Sequence, residues 1–445
     1  MSSSPWLEVC QEGCRLALGA GANEAEAFAC DVDEVTVTLE KHDLQIARAS
    51  RSSTIGLRVV VDRRMGFVST NSLDELRSAA SDAVAVAKAT PADPHSRLAE
   101  PCALKPPGGL LDPEASTFSA RDAVRVAARI LEVAEAVDRR VIVGDASVSA
   151  VRTTRALVTT RGAAAEETTT LFSHHVLVTA KDGERVSSMD FQSGAARRAR
   201  DVDVEPTVRQ ACVNALDSLA SERGETFRGL VILSPSAALD LLLVPILFQV
   251  NGRNALRGLT RWRASLGSAV ASSAISLSDD GTIPGGIASA SFDREGVPHA
   301  PLCLIDRGRL AAILHNVYSA AASGAVSTGH ASGSASSPPL IGPTNLTLAS
   351  GRSSLDEIIA DTPHGLFVAR FSGNVDPVSG DFSGVAKAAR SIRNGVRAEP
   401  VAGTLVAGNV FEALRAVVDT SRESQQIFGI SVPYVRVDDV SVTAG

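Results

Sequence analysis

A chain of 445 residues with 44% hydrophobic content has enough apolar mass for two packed domains. Its formal net charge of −7 argues against a nucleic-acid surface. Its longest apolar stretch, Leu241 to Phe248, falls far short of the ~20 residues that span a bilayer. Aromatic residues make up only 4%, so the cores must rely on Ala, Val, Leu and Ile. Arginine greatly outnumbers lysine, which leaves room for a guanidinium-rich surface. Nothing at the start resembles a secretory signal, since Ser2-Ser3-Ser4-Pro5 lacks a basic segment and no long apolar run follows. A cytoplasmic protein is expected.

In chain order, Ser4 is placed to cap a helix with Pro5 at its first position. Trp6, Cys10, Cys14 and Ala17 share one face of it, and Gly19 and Gly21 end it. Cys10 and Cys14 could be a ligand pair or small apolar residues in a stripe. The other cysteines (Cys30, Cys102, Cys212 and Cys303) supply no second pair and no CxxC, which favours the stripe. Val35 to Leu39 alternates as a half-buried strand does. Gly56 to Val61 and Gly66 to Thr70 read as a hairpin around Asp62-Arg63-Arg64. Ser72 and Glu75 have capping-box spacing before a helix through Leu73, Leu76, Ala80 and Val84. Residues 90–117 read as a connecting loop, Ser119 to Val137 as an amphipathic helix, Val141 to Met189 as strands and Thr207 to Leu219 as a helix.

After the polar stretch Glu222 to Thr226 come many short strands with turn signals. Asp306-Arg307-Gly308 joins two of them. Asn394-Gly395 is the pair that a type I′ hairpin requires, and Ser354 and Glu357 form a second capping-box pattern. Ala331 to Pro339 is rich in Ser, Gly and Pro and is expected to be mobile. Ser372 to Gly384 reads as a polar loop: its glycines allow φ > 0, its proline fixes φ, and Asn374, Asp376 and Asp381 favour turns.

That last segment resembles the C-terminal signature of the TldD/PmbA family, also called modulator-of-gyrase proteins. Asp279-Asp280-Gly281, Pro284-Gly285, Phe292-Asp293-Arg294-Glu295-Gly296, Ser327-Thr328-Gly329, Thr344-Asn345-Leu346 and the end from Val440 to Gly445 agree in order. Ile55-Gly56-Leu57-Arg58 and Gly66 to Asn71 resemble the family's N-terminal half. Pattern and resemblance together imply an α+β fold. Residues 1–225 would place helices on a curved, mostly antiparallel sheet, and residues 226–445 would form a β-rich, barrel-like domain.

In TldD-type members, a helix early in the second domain carries His-Glu-x-x-x-His, which holds zinc and positions a glutamate to polarise the metal-bound water. The corresponding place here, Ser234 to Gln249, has no histidine and no glutamate, and its single acid is Asp240. Pro245 is expected to kink that helix. His42, His95, His174, His175, His299, His315, His330 and His364 include no pair three to five apart. The resemblance is therefore to the TldE (PmbA) type, a metal-free partner of a TldD-type chain. It implies no catalytic or metal-ligating residue in this chain, zinc in the partner subunit, and a heterodimer acting on a peptide or small amide.

Ser327, His330, Asn374, Asp381 and Ser383 are the candidate substrate-cleft residues. Each has a plainer reading as a turn or cap. A Ser327, His330 and Asp381 triad can be drawn, but nothing in the spacing fixes its geometry. No dinucleotide, P-loop or nucleophile-elbow motif occurs. Two other readings stand beside the subunit: a regulatory protein acting on DNA gyrase or another protein, without direct DNA contact, and a free-standing homodimeric hydrolase.

Overall fold

The computed structural model describes residues 5–445, so the cap read at Ser4 lies outside the described residues. Helix Pro5–Gly19 buries Cys10, Gly13, Cys14 and Ala17. Cys14 Sγ lies 3.3 Å from the Val158 carbonyl and Cys10 Sγ 3.6 Å from that of Ala156. Burial pushes both thiols up to about 12, so they pack as neutral groups rather than as ligands.

The first sheet has seven strands, and all its recorded pairings are antiparallel. Ala164–Asp182 alternates buried and open positions, as a strand covered on one face does. Asp43–Val61 is largely open over its first half and buried without a break from Ile55 to Val61, and Glu24–Glu40 and Val141–Thr159 also carry continuous buried runs. Helices Pro5–Gly19 and Leu76–Ala89 cover one end, with Leu57, Ala80 and Ala83 fully buried between them. Helices Ala120–Val137 and Glu205–Leu219 cover the other. Ser119 and Asp122 form a complete capping box. The box read at Ser72 does not form, and that helix starts only at Leu76. Thr70 is the reason: its hydroxyl accepts the Ser72 N–H at 3.0 Å and donates to Glu75 Oε2 at 3.1 Å, taking the groups the box would use.

From Glu222 onward the chain builds a mixed sheet of fourteen strands. Phe227–Leu233 lies in its middle, parallel to His364–Val368 and antiparallel to Ile430–Thr443. Asn394 and Gly395 take φ of 52° and 74°, and Arg307 and Gly308 take 43° and 79°, as two tight hairpins demand. Ser354 and Glu357 cap Leu355–Ala360. The whole is an α+β fold. Among the described residues no helix is long and apolar enough to cross a membrane.

The two sheets are locked together by buried charge. Arg58 on the first sheet pairs with Glu26 and, at 2.5 Å, with Glu295 on the second unit. Arg294 pairs with Glu26 at 2.9 Å and lies 4.0 Å over the Phe28 ring. Burial raises the Glu26 pKa, but Arg58 and Arg294 outweigh it and hold the carboxyl below its usual range. Arg197 donates to the carbonyls of Gly286, Ile287 and Ser289. The Asp293 carboxylate accepts N–H bonds from Glu295, Val297 and Ala331, which folds the segment that carries Arg294 and Glu295.

The Ser/Gly/Pro-rich stretch departs from the expected mobile loop. Ala335 is fully buried, the Ser334 carbonyl accepts from Arg294, and a Cβ on Gly56 would lie 2.4 Å from the Ala335 carbonyl. Its composition is that of a loop, but it is pinned against the first sheet.

Candidate functional site

The helix in the metal-motif position grows directly out of the central strand. Ser234 accepts the Ala237 N–H and donates to the Ala369 carbonyl, and Pro235 occupies the first turn. The kink expected at Pro245 appears as a π turn over Leu239–Leu243, with the Val244 N–H reaching the Leu239 carbonyl. Proline has no N–H, and its ring would strike the carbonyl four residues back, so the wider turn relieves both problems. Leu241, Leu242, Leu243 and Ile246 point into the large core. Each is worth roughly 1.5–3 kcal/mol of burial. The outward positions are Asp240 and Val244, both exposed, while Phe248 is half-buried and Leu247 packs against the core. One carboxylate among alkyl groups cannot complete a zinc shell, so this helix does not fit the ion that the motif would hold. Among the described residues, no group of three or more His, Cys, Asp or Glu is placed to hold a metal ion.

Beside this helix runs the segment read as a polar loop. It is a hairpin instead: Arg370–Val375 pairs with Asp381–Lys387, and only 376–380 turn. Its polarity misleads because Ser372, Asn374, Asp381 and Ser383 all sit on the open face, over buried Phe371 and Phe382. Gly373 and Gly384 are explained by packing, since a Cβ on either would meet the Phe371 ring at 2.8 or 2.7 Å. The turn is held from three sides. Gln249, fully buried, donates to the Pro377 carbonyl at 2.6 Å. Arg261 donates to the carbonyls of Val378 and Ser379, and Asn409 donates to the Ser379 carbonyl and to Asp381. Two backbone N–H groups on Asp376 hold its carboxyl below the usual range.

Strand Arg370–Val375 is an edge: among the described residues its only strand partner is Asp381–Lys387, so Ser372 to Asn374 present an open row of backbone groups. The last strand of the first sheet, Asp190–Ala196, and helix Glu205–Leu219 meet the second unit through two ion pairs. Arg370 reaches Asp190 at 3.4 Å, and Arg390 makes a two-pronged pair with Asp217 at 2.6 and 2.8 Å. Burial raises the Asp190 pKa, opposed by Gln192 and Arg370. A cavity of about 100 Å³ opens at the helix start, lined by the amides of Gln192, Gln210 and Asn214 and by Ser236, Arg397 and Tyr434. Such groups recognise amide N–H and C=O, and none is an activated nucleophile.

Three of the five predicted residues therefore share one surface. Asn374 faces Ser383 across the ladder, and Asp381 lies two residues along the same face. The other two stand in a separate loop. Ser327 donates to the His315 carbonyl at 3.3 Å. His330, 2% exposed, is engaged at both nitrogens, with Thr328 on Nδ1 and Asp279 3.0 Å from Nε2. Its acid is Asp279 and not Asp381, so the triad does not assemble. His299 lies 6.4 Å from His330 between ring centroids. Burial, with His330 close by, lowers its pKa to about 4. Sequence reasoning missed Gln192, Asn214, Arg370 and Arg390, which are brought together only by the docking of two sheets.

The sequence matches the PmbA/TldA metallopeptidase domain 1 over residues 25–87, the central domain over 113–219 and the C-terminal domain over 227–444. An uncharacterised protein from Methanocaldococcus jannaschii is 25% identical over 403 residues, 91% of this chain and 92% of that one. A metalloprotease TldD homolog from Buchnera aphidicola is 29% identical over 221 residues, 49% of this chain and 46% of that one. Among solved structures, TldE from Thermococcus kodakarensis superimposes with a TM-score of 0.88 at 21% identity, covering 98% of this chain and 100% of that one. A protein described as a modulator of a DNA gyrase, from Thermotoga maritima, has the same score and coverage at 22% identity.

Proposed function

The chain belongs to the PmbA/TldD metallopeptidase family, and on that premise we propose that it is a TldE-like, non-catalytic subunit of a zinc-dependent amide hydrolase. The observation that carries this reading is the helix Pro235 to Gln249, whose inward face is leucine and isoleucine and whose open face offers one carboxylate. A TldD-like partner supplies the zinc, the attacking water and the general base. This chain supplies a wall of the cleft: the open strand edge from Ser372 to Asn374 and the amide side chains of Gln192, Gln210 and Asn214. An extended peptide can add to such an edge through its own backbone. A small N-acyl or N-aminoacyl amide can use the same donors and acceptors, so the reaction class is peptide trimming or removal of an acyl group from a small metabolite.

The test is co-expression with a TldD-type chain, followed by size exclusion and an assay of peptide and N-acyl amide hydrolysis. The reading expects a stable mixed complex that hydrolyses, and no hydrolysis by this chain alone. Amidase activity that survives removal of every partner overturns it.

A further inference from the structure

A second cavity, of about 650 Å³, lies between the two units and shares no lining residue with the cleft beside the helix. Its size and its place between domains are those of small-molecule sites. Its walls are Met65 and the rings of Pro91, Pro94, Pro338 and Pro339, which are apolar and already rigid. Its polar lining includes Asp93, His95, Asn316, Tyr318 and two arginines. Arg58 lines it and is 2% exposed. The terminal nitrogens of Arg58 are taken by Glu26 and Glu295, but its Nε–H has no partner. A buried cationic donor without an acceptor is costly to leave unmade. Arg253, half-buried on the same wall, makes no ion pair among the described residues. The Tyr318 hydroxyl donates to Asp93 at 2.8 Å, which leaves its oxygen open to accept.

We propose that this cavity binds a small organic monocarboxylate, its carboxylate directed at Arg58 and Arg253 and its apolar body against the proline walls. Arg58 and Arg294 already offset Glu26 and Glu295, so among the described residues Arg253 is the lining arginine whose charge no carboxylate pairs, and one such charge matches a monoanion. Glu26, Glu295 and Asp93 stand around Arg58 and the cavity mouth, and they would repel a second negative charge. This site goes beyond the proposed function, because it requires neither the zinc-bearing partner nor hydrolysis.

The experiment titrates the full chain, without partner, with benzoate, benzamide and inorganic phosphate, read by saturation-transfer NMR and calorimetry. Benzoate is expected to bind, benzamide about tenfold more weakly, and phosphate not at all. Arg58 is left intact because its ion pairs hold the fold. Met65→Trp, which fills the cavity, should abolish benzoate binding, and Arg253→Gln, at the half-buried wall, should weaken it about tenfold. Three results would each overturn the proposal: no benzoate binding at about 10 mM, binding of benzamide or phosphate as tight as that of benzoate, or benzoate binding unchanged in both variants.

Discussion

Gly373 and Gly384 face each other across the hairpin so closely that a Cβ on Gly373 would lie 2.4 Å from the Gly384 Cα and 2.3 Å from the Ser383 carbonyl. The Phe371 ring fills the space where both side chains would stand. Gly373→Ala or Gly384→Ala must therefore push strand or ring aside, at roughly 1–3 kcal/mol. Ser372→Ala, on the open face of the same strand, should stay within about 0.5 kcal/mol of the parent. Urea unfolding of the three variants checks the contrast, and equal effects would contradict it.

The buried charges at the junction between the units make a second prediction. Arg58→Met strands Glu26 and Glu295 without one of their cations, and removing one partner of a buried pair costs about 3–5 kcal/mol. Adding Glu295→Leu removes the stranded charge on the second unit and should recover a clear part of that loss. Thermal unfolding of single and double variants reads this, and a double variant worse than Arg58→Met would refute it.

The buried turn support is the third. Gln249→Ala takes a donor from the Pro377 carbonyl and an acceptor from the Arg261 N–H. A loss of about 1–3 kcal/mol is expected, with faster amide exchange across 376–380. Exchange confined elsewhere would argue that the turn holds itself.

The fourth concerns pH. The folded-state pKa of His299, about 4, lies below its ordinary 6.5, because burial and His330 disfavour the imidazolium. The unfolded chain then binds more protons between these values, so stability falls as pH drops from 6.5 towards 4. His299→Gln should flatten that part of the profile, by up to about 3 kcal/mol at the acid end. Chemical denaturation at several pH values measures it. An unchanged slope would place the acid sensitivity in other groups, such as His174, which burial also lowers to about 4.

Local chemistry made much of this fold legible. Asn394-Gly395 announced its hairpin because few residue pairs accept two positive φ values, and Ser354 with Glu357 announced a helix start. The absence of His and Glu from 234–249 was equally plain. What stayed hidden depended on partners that no local pattern names. Thr70 took the hydrogen bonds that Ser72 and Glu75 were expected to exchange. Ser372 to Gly384 looked like loop because an edge strand can be polar on its open face while Phe371 and Phe382 anchor the other. Ala335 gave no local sign that it packs against Gly56, and Asp279 none that it would meet His330, 51 residues away. Several signature segments, among them Phe292 to Gly296 and Thr344-Asn345, prove to fold loops and dock the two units, which a motif alone does not reveal.

Metal content is the most direct test of the central claim. The chain should be purified alone and, separately, with a co-expressed TldD-type subunit, and each sample dialysed and analysed for zinc. The account predicts no stoichiometric zinc in the lone chain and a tightly held ion in the mixed complex, lost when the partner's histidine motif is mutated. Stoichiometric zinc retained by the lone chain after dialysis would contradict it.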